Sequence, residues 1–116
     1  MNEKVLTAVK ALDKKKAQDI KALKVEDLTI VTSDFVIAAG TSSTHVKSLA
    51  DEVEFAMEQA GFTPRQVEGR ATGWILLDYY DLIIHIFTPD QRENYNLEKL
   101  WADAEEVDLS DVLTAD

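Results

Sequence analysis

The 116-residue sequence has no cysteine, only four glycines and two prolines, and no long apolar run. The absence of cysteine excludes disulfides, thiol catalysis and zinc–thiolate sites. No apolar stretch approaches the roughly 20 residues that span a bilayer, and the first residues lack the apolar core of a signal peptide. We therefore expect a cytoplasmic protein that does not bind membranes.

Basic residues are also scarce. The chain has 12 of them against 22 acidic residues, which gives a net charge of −10. This charge repels nucleic-acid phosphates and favours a basic protein partner, so we predict no direct sequence-specific nucleic-acid binding. Residues 102–116 contain six acids and no base. We predict that they form an acidic, mobile tail after a folded domain of residues 1–101.

The hydrophobic pattern predicts one α/β (α+β) domain, in which a mixed β-sheet is flanked by helices. At 46% hydrophobic residues, a chain of this length can bury a single core. The predicted helices cover residues 2–14, a segment from the Thr41–Ser43 loop to Gly61, and a segment from Pro89 to Trp101. The predicted strands cover residues 19–25, 35–39, 65–68, 74–79 and 82–87.

The loop Gly40–Ser43 lies between a predicted buried strand and the start of the long predicted helix. Its amides and hydroxyls could hold a phosphate, with His45 in the first helical turn. Serine and threonine at such a junction also serve as ordinary helix caps. The carboxylate pair that metal-dependent nucleotidyl transfer needs does not follow Gly40. A nucleotide-binding or nucleotidyltransferase-type enzyme is therefore the alternative to a binding protein, and we expect no metal or cofactor.

The two strands around Tyr80 predict a β-hairpin that is rich in aromatic and acidic residues. Trp74, Tyr79 and Tyr80 cluster there, and Asp78 and Asp81 flank the turn. Tryptophan and tyrosine are frequent interface hot spots, and acids steer basic partners. The hairpin therefore predicts a docking surface for a basic protein, with Trp74 as a mere core residue as the alternative.

Several ordered stretches between Val5 and Trp101 form a recognisable set. They are Ser33–Ser43, His45–Val53, Val67–Gly69, Trp74–Tyr79, Asp81–Phe87 and Tyr95–Trp101. Together they resemble the ribosomal silencing factor family, whose members are also called Iojap-like proteins. The resemblance implies a nucleotidyltransferase-like fold that lacks the catalytic carboxylates and has no enzymatic activity.

The resemblance also implies a partner and a contact surface. Family members bind the large ribosomal subunit through large-subunit ribosomal protein fourteen, at the face that meets the small subunit. They thereby block subunit association and repress translation when nutrients are limiting. The matching contact positions in this sequence are Trp74, Asp78, Tyr79, Asp81 and His85.

Each matching position has an expected role. Trp74 and Tyr79 would be apolar anchors, Asp78 and Asp81 would pair with Lys or Arg of the ribosomal protein, and His85 would support the hairpin. An exposed apolar hairpin can also self-associate, which makes a homodimer a further expected partner.

Two positions depart from the family pattern. Tyr80 stands where many members have glycine in the turn, so we expect a different turn geometry or a different rim of the contact. Thr44 stands where an arginine is frequent, which weakens any role for a charge at that helix start.

Overall fold

Four helices and six strands are formed by residues 2–69 and 73–113, the part of the chain that this computed structural model describes. The helices are α1 (Glu3–Lys14), α2 (Ser43–Gln59), α3 (Pro89–Tyr95) and α4 (Leu97–Leu100). The strands are β1 (Gln18–Lys24), β2 (Asp34–Ala39), β3 (Gln66–Glu68), β4 (Trp74–Asp78), β5 (Leu82–Phe87) and β6 (Glu105–Val107). The predicted α/β class is confirmed, and β6 is the element that the sequence pattern did not reveal.

The strands form one mixed sheet in the order β3-β4-β5-β2-β1-β6. β2 and β5 run parallel, and the other neighbouring pairs are antiparallel. Every residue of β2 and β5 is buried, which explains why both strands are almost continuously apolar: neither of their faces meets water. The prediction that residues 35–39 form a central strand is confirmed.

Helices α1 and α2 pack on one side of the sheet, which we call the helical face. The side chain of Asn2 caps α1 by accepting a hydrogen bond from the Val5 backbone N at 2.9 Å. α1 buries Leu12, and α2 buries Leu49 and Val53, in the larger of the two core clusters. The amphipathic pattern of both helices thus faces the sheet, as predicted.

The opposite side of the sheet, which we call the Trp74 face, is covered only in part. Leu97 and Trp101 pack against its core cluster. The rings of Trp101 and Phe35 meet edge to face, with centroids 5.2 Å apart. On β4, by contrast, Trp74 and Leu76 are only half-buried. This face therefore presents apolar side chains to solvent beside a packed cluster.

The segment after residue 101 belongs to the fold in its described part, which corrects the prediction of a mobile tail. Glu105–Val107 form β6, which pairs antiparallel with β1 at the edge of the sheet. Leu109 is 6% exposed and belongs to the core on the helical face. An edge strand tolerates exposed acids because part of it is solvated. The acidic composition of this segment therefore did not indicate that it contains a strand. Residues 114–116 of the predicted tail lie outside the described residues.

The helical segment after β5 is two short helices rather than one. α3 begins at Pro89 after Thr88, as predicted, but Thr88 makes no side-chain capping hydrogen bond, so the predicted capping box does not form. Asn96 has a φ of 47° and separates α3 from α4. No helix within the described ranges is long and apolar enough to cross a membrane.

Candidate protein-docking site

The β4–β5 hairpin carries the residues predicted to contact the partner. Its turn is closed by a hydrogen bond from Tyr79 N to Leu82 O at 2.8 Å. Tyr80 adopts a φ of 74°, a left-handed conformation that is unusual for a residue with a side chain. The Oδ1 atom of Asp78 accepts a hydrogen bond from Tyr80 N at 2.9 Å. The hairpin predicted across Tyr80 is therefore confirmed.

Trp74 lies at the start of β4 on the Trp74 face, among other rings. Its ring centroid lies 5.2 Å from that of Phe87, nearly parallel to it, and 4.4 Å from that of Tyr95. Its indole Nε1 donates a hydrogen bond to Nδ1 of His85 at 3.1 Å. These contacts fix the orientation of the indole while part of its surface stays exposed.

His85 is 5% exposed and acts as the acceptor for Trp74. Burial lowers the pKa of His85 to about 4, so the ring is neutral at pH 7. Because Nδ1 accepts, the proton of the neutral ring lies on Nε2, which has no hydrogen-bond partner within residues 2–69 and 73–113. His85 therefore positions Trp74 and offers no exposed surface of its own.

A cleft of about 270 Å³ opens beside Trp74, between β3, β4 and α3. We call it the Trp74 cleft. Its lining residues are Glu68, Gly69, Gly73, Trp74, Leu76, Gln91 and Tyr95. A Cβ at Gly73 would lie 2.7 Å from Cγ of Gln91, so glycine is needed for the close approach of β4 to α3. Apolar side chains thus form an open depression large enough for one partner side chain.

One acidic residue lines the Trp74 cleft, and two more are exposed on the helix beside it. Glu68 lines it, and α3 carries the exposed Asp90 and Glu93. The one base of α3, Arg92, donates a hydrogen bond from Nε to Glu98 Oε1 at 2.8 Å. This hydrogen bond lowers the pKa of Glu98 below its usual value. Because Arg92 is paired with Glu98, the acids Glu68, Asp90 and Glu93 outweigh the bases among the described residues at the cleft and on α3.

Asp78 is 2% exposed, which corrects its predicted role as an interface acid. Its Oδ2 accepts hydrogen bonds from Arg65 Nε at 3.0 Å and from Arg65 Nη2 at 2.5 Å. Its Oδ1 accepts the hydrogen bond from Tyr80 N. Since both oxygens are used within the hairpin and its flank, Asp78 holds the turn and is not available to a base of the partner.

Tyr79 is fully buried, which argues against its predicted role as an apolar anchor of the contact. Side chains alternate between the two faces of a strand, so Tyr79 lies on the helical face, opposite Trp74. Burial raises the pKa of Tyr79 to about 12. Its hydroxyl has no hydrogen-bond partner in the part of the chain that the structure describes. Trp74 and Tyr79 therefore cannot contact one surface together.

Asp81 is the accessible acid of the hairpin. Its side chain is 54% exposed and forms an ion pair with Lys4 Nζ at 2.6 Å. The Lys4 ammonium also donates to the backbone O of Tyr79 at 3.0 Å, which ties α1 to the turn. Of the two predicted acidic contacts, Asp81 is the one that a partner can reach.

The Gly40–Ser43 loop, the alternative nucleotide site, is used within the fold. Ser42 Oγ caps α2 by accepting a hydrogen bond from His45 N at 3.2 Å. His45 Nδ1 accepts from Thr41 N at 2.9 Å, and His45 Nε2 lies 2.8 Å from Lys15 O. These contacts are those of a capped helix packed on its neighbours. Within the described ranges, no cluster of three or more His, Asp or Glu is placed to hold a metal ion.

A family described as "Ribosomal silencing factor during starvation" matches residues 1–116. The chain belongs to this family. The resemblance drawn from the sequence stretches is thus confirmed over the whole chain.

Individual relatives agree with this assignment. The ribosomal silencing factor of Bacillus subtilis is 38% identical over 112 residues, which cover 94% of this chain and 95% of that protein. A crystal structure of a Chromobacterium violaceum protein superposes with a TM-score of 0.84 at 32% identity, covering 88% of each chain. A mouse protein named "Mitochondrial assembly of ribosomal large subunit protein 1" is 32% identical over 97 residues, covering 80% of this chain and 42% of its own length.

The structure adds three residues to the predicted site. Leu76 shares the Trp74 face by strand alternation, and this period was visible in the sequence. Tyr95 joins the cleft only because the path of α3 brings it back to β4, which no local pattern indicates. Arg65 is placed by its two hydrogen bonds to Asp78, and a single arginine before a weak strand gave no signal.

Proposed function

We propose that this chain binds the large ribosomal subunit in the cytoplasm and represses translation by blocking association with the small subunit. The docking partner is large-subunit ribosomal protein fourteen, at the face that meets the small subunit. Membership in the ribosomal silencing factor family supports the ribosomal role, and the name of the mouse relative supports the choice of the large subunit.

The Trp74 cleft is the observation that carries the docking proposal. It combines a half-buried tryptophan with the 49% exposed Tyr95, and Leu76 lies on its floor. Aromatic side chains that are held rigidly and partly exposed are typical interface hot spots, because they bury a large area at little entropic cost. A partner side chain that fills the cleft would cover the exposed part of the indole.

Charge supports a basic partner. The chain carries a net charge of −10, and the acids around the cleft are not balanced by Arg92, which is paired with Glu98. Complementary charge raises the rate of encounter and orients the partner before short-range contacts form. A ribosomal protein surface rich in Lys and Arg meets this requirement.

The residues of the hairpin have distinct roles in this proposal. Trp74 is the anchor, and His85 fixes its orientation. Asp81 pairs with a base of the partner, exchanging or sharing its ion pair with Lys4. Asp78 and Tyr79 act inside the protein, where they hold the turn and fill the core.

Repression follows from occupancy of the subunit face and needs no bond to be made or broken. We therefore expect no turnover of nucleotides. Titration calorimetry with nucleoside triphosphates and magnesium should show no binding tighter than millimolar, because the acidic surface opposes an anionic ligand. A micromolar heat of binding that disappears in Ser42→Ala would contradict this and favour the enzyme alternative.

Self-association is expected to compete with ribosome binding. An apolar cleft flanked by Tyr95 can be covered by a second copy of the chain. A homodimer formed through the Trp74 cleft would dissociate when the large subunit is added, and sedimentation of the chain alone and with subunits would detect this.

The decisive experiment is co-sedimentation with isolated ribosomal particles. The chain should pellet with large subunits and not with small subunits or joined ribosomes, and it should slow the joining of subunits followed by light scattering. Equal binding to both subunits, or binding that leaves joining unchanged, would contradict the proposal.

A photo-crosslinking side chain tests the partner itself. Placed at Tyr95, it should crosslink to ribosomal protein fourteen. Placed at Phe55 on α2, which is similarly exposed at 58%, it should not. Crosslinks from position 95 to ribosomal RNA or to another protein would contradict the choice of partner.

A further inference from the structure

A second exposed apolar surface lies in the loop between β1 and β2, away from the Trp74 cleft. In this loop Leu28, Ile30 and Val31 are 45%, 104% and 62% exposed. Large aliphatic side chains that are exposed to water lose the free energy that burial would provide. A cluster of them on a surface often marks an interaction site. The docking proposed above does not use this loop.

The base of the loop is fixed, so its apolar side chains are held outward. Val25 N donates to Ser33 O at 2.9 Å, which closes the loop on itself. Ser33 N and Asp34 N both donate to Asp81 O at 3.1 Å, which fastens the loop to the β4–β5 turn. Val25 and Thr32 are buried on either side of the exposed residues. The loop therefore presents a defined surface.

A groove of about 480 Å³ separates this loop from the turn, and we call it the Tyr80 groove. Its lining residues are Glu26, Thr29, Ile30, Val31, Thr32, Ser33, Tyr80 and Asp81. The apolar side chains of Ile30 and Val31 lie on one wall, and the ring of Tyr80, 55% exposed, lies on the other. The groove can accept an aliphatic side chain between them.

Tyr80 occupies a backbone position that glycine would fill with less strain. Its φ of 74° is unfavourable for a residue with a Cβ atom. The ring lies between two cations of the chain, with Arg65 5.6 Å and Lys4 6.0 Å from its centroid. The turn itself does not require an aromatic ring, and at 55% exposure part of the ring remains accessible to a partner.

The charges of the Tyr80 groove favour a basic occupant. Glu26 lines the groove and Asp27 follows it, and neither makes an ion pair within the described ranges. Asp81 lies on the other wall, paired with Lys4. Asp34 lies nearby, and its pKa is raised chiefly by burial; Glu26 and Asp81 raise it further, while the hydrogen bond from Asn2 and the charge of Lys24 oppose the rise. Added positive charge would relieve the repulsion among these carboxylates.

The Tyr80 groove and the Trp74 cleft lie at opposite ends of β4. Trp74 begins the strand, and Asp78 ends it just before the turn. Four residue steps along a strand span roughly 13 Å, so one small side chain cannot fill both sites. Asp81, which lines the Tyr80 groove, is the one residue that both docking proposals use.

We propose that the Tyr80 groove is a second docking surface, which binds a protein segment rich in Lys or Arg that also carries an aliphatic side chain. The aliphatic side chain packs between Ile30, Val31 and Tyr80. A neighbouring base pairs with Glu26. This proposal goes beyond the large-subunit function and does not depend on it.

The test uses the full chain labelled with ¹⁵N and a short synthetic peptide of repeated Lys-Lys-Leu units. Amide signals of residues 26–33 and 80–81 should shift on titration, and signals around the Trp74 cleft should not. Ile30→Ser should weaken the peptide affinity at least about tenfold, as expected for a hot spot. Tyr80→Gly should do the same while the chain stays folded, because glycine accepts the turn conformation.

Matched controls separate this site from general charge attraction. Phe55→Ser removes a similarly exposed apolar side chain from α2 and should leave the affinity unchanged, as should Trp74→Phe. A peptide with serine in place of leucine should bind at least about fivefold more weakly, because the apolar contact is lost. Shifts spread over the acidic surface, shifts centred on the Trp74 cleft, or no binding would each overturn the proposal. Equal shifts with an oligouridylate would overturn the assignment of a protein partner.

Discussion

Trp74 Nε1 and His85 Nδ1 are joined by a hydrogen bond of 3.1 Å across the β4–β5 pair, although the two residues are diagonal neighbours. Leu76 is the direct partner of His85, and Phe87 that of Trp74. The donor belongs to a half-buried side chain and the acceptor to a buried one. The core thus determines the orientation of a surface residue, and replacing either residue has a distinct, measurable consequence.

The first prediction concerns Trp74→Ala. The affinity for large subunits should fall by at least about 2 kcal/mol, the scale of an interface hot spot. Because Trp74 also packs on Phe87 and Tyr95, the free energy of unfolding should fall by about 2 kcal/mol as well. Urea unfolding and subunit binding should be measured on the same preparation.

The control for Trp74→Ala is Val53→Ala on the helical face. Val53 is fully buried on the sheet-facing side of α2, so its truncation should cost a similar free energy of unfolding. It should leave subunit binding unchanged. If both variants lose binding equally, the effect of Trp74→Ala is a loss of stability and the anchor role is wrong.

The second prediction concerns pH and His85. Its pKa is lowered from 6.5 to about 4 in the folded chain, so between these values the unfolded chain binds a proton that the folded chain does not. The free energy of unfolding therefore falls as pH drops through this window, by about 3 kcal/mol in total. Urea unfolding at about pH 7 and about pH 4.5 would measure most of this loss.

Substitution of His85 separates its contribution to the pH dependence of unfolding from the contribution of the carboxylates. His85→Gln keeps an acceptor for Trp74 Nε1 and does not titrate, so its unfolding free energy should change much less between the two pH values. An equal pH difference in His85→Gln and wild type would refute the buried neutral state of His85.

The sequence predicted those parts of the fold that are set by local periodicity. Strand β2 is apolar after Asp34 because the sheet buries both its faces, and α2 runs from its serine cap to Gln59, shortly before Gly61, where φ is 89°. β6 was missed because its short, acidic sequence forms a strand only by pairing with β1. That pairing depends on the path of the whole chain.

The candidate site was predictable as a hairpin but not side chain by side chain. Alternation along β4 assigned Trp74 and Tyr79 to opposite faces. It could not reveal that α1 and α2 cover the face of Tyr79. Asp78 shares the face of Trp74, yet it is buried because Arg65 reaches over it. Which face remains open is decided by tertiary packing, which a single strand does not encode.

The third prediction compares the two aspartates of the hairpin. Asp78→Asn should lower the free energy of unfolding by about 1 kcal/mol, because a buried charge-assisted pair is lost but Arg65 is half exposed and screened. Asp81→Asn should change it by less than about 0.5 kcal/mol, since its ion pair with Lys4 is exposed.

Binding kinetics should show the reverse order. Asp81→Asn should raise the dissociation rate from large subunits, because a short-range ion pair across the interface is lost. Asp78→Asn should leave that rate close to wild type at temperatures where it is folded. A faster dissociation in Asp78→Asn alone, with unchanged unfolding, would place the contact at Asp78 and would contradict the internal role given to it here.

The last prediction concerns the segment after residue 101. Deletion of residues 102–116 should lower the free energy of unfolding by about 3 kcal/mol or more, because it removes β6 from the sheet and Leu109 from the core. The double variant Glu105→Gln and Glu106→Gln is the matched control. It keeps the strand. The ion pairs that it removes, from Glu105 to Lys24 and from Glu106 to Lys21, are exposed and weak. Its unfolding should therefore match wild type.

The same pair of variants separates structure from charge in binding. The double variant should lower the rate of association with large subunits and leave dissociation unchanged, because charges away from the contact act on the encounter and are screened within about 8 Å at physiological salt. This effect should shrink as salt is raised. If the chain that lacks residues 102–116 instead unfolds at the same urea concentration as wild type, residues 105–109 contribute nothing to the stability of the fold. The segment would then act only through its charge.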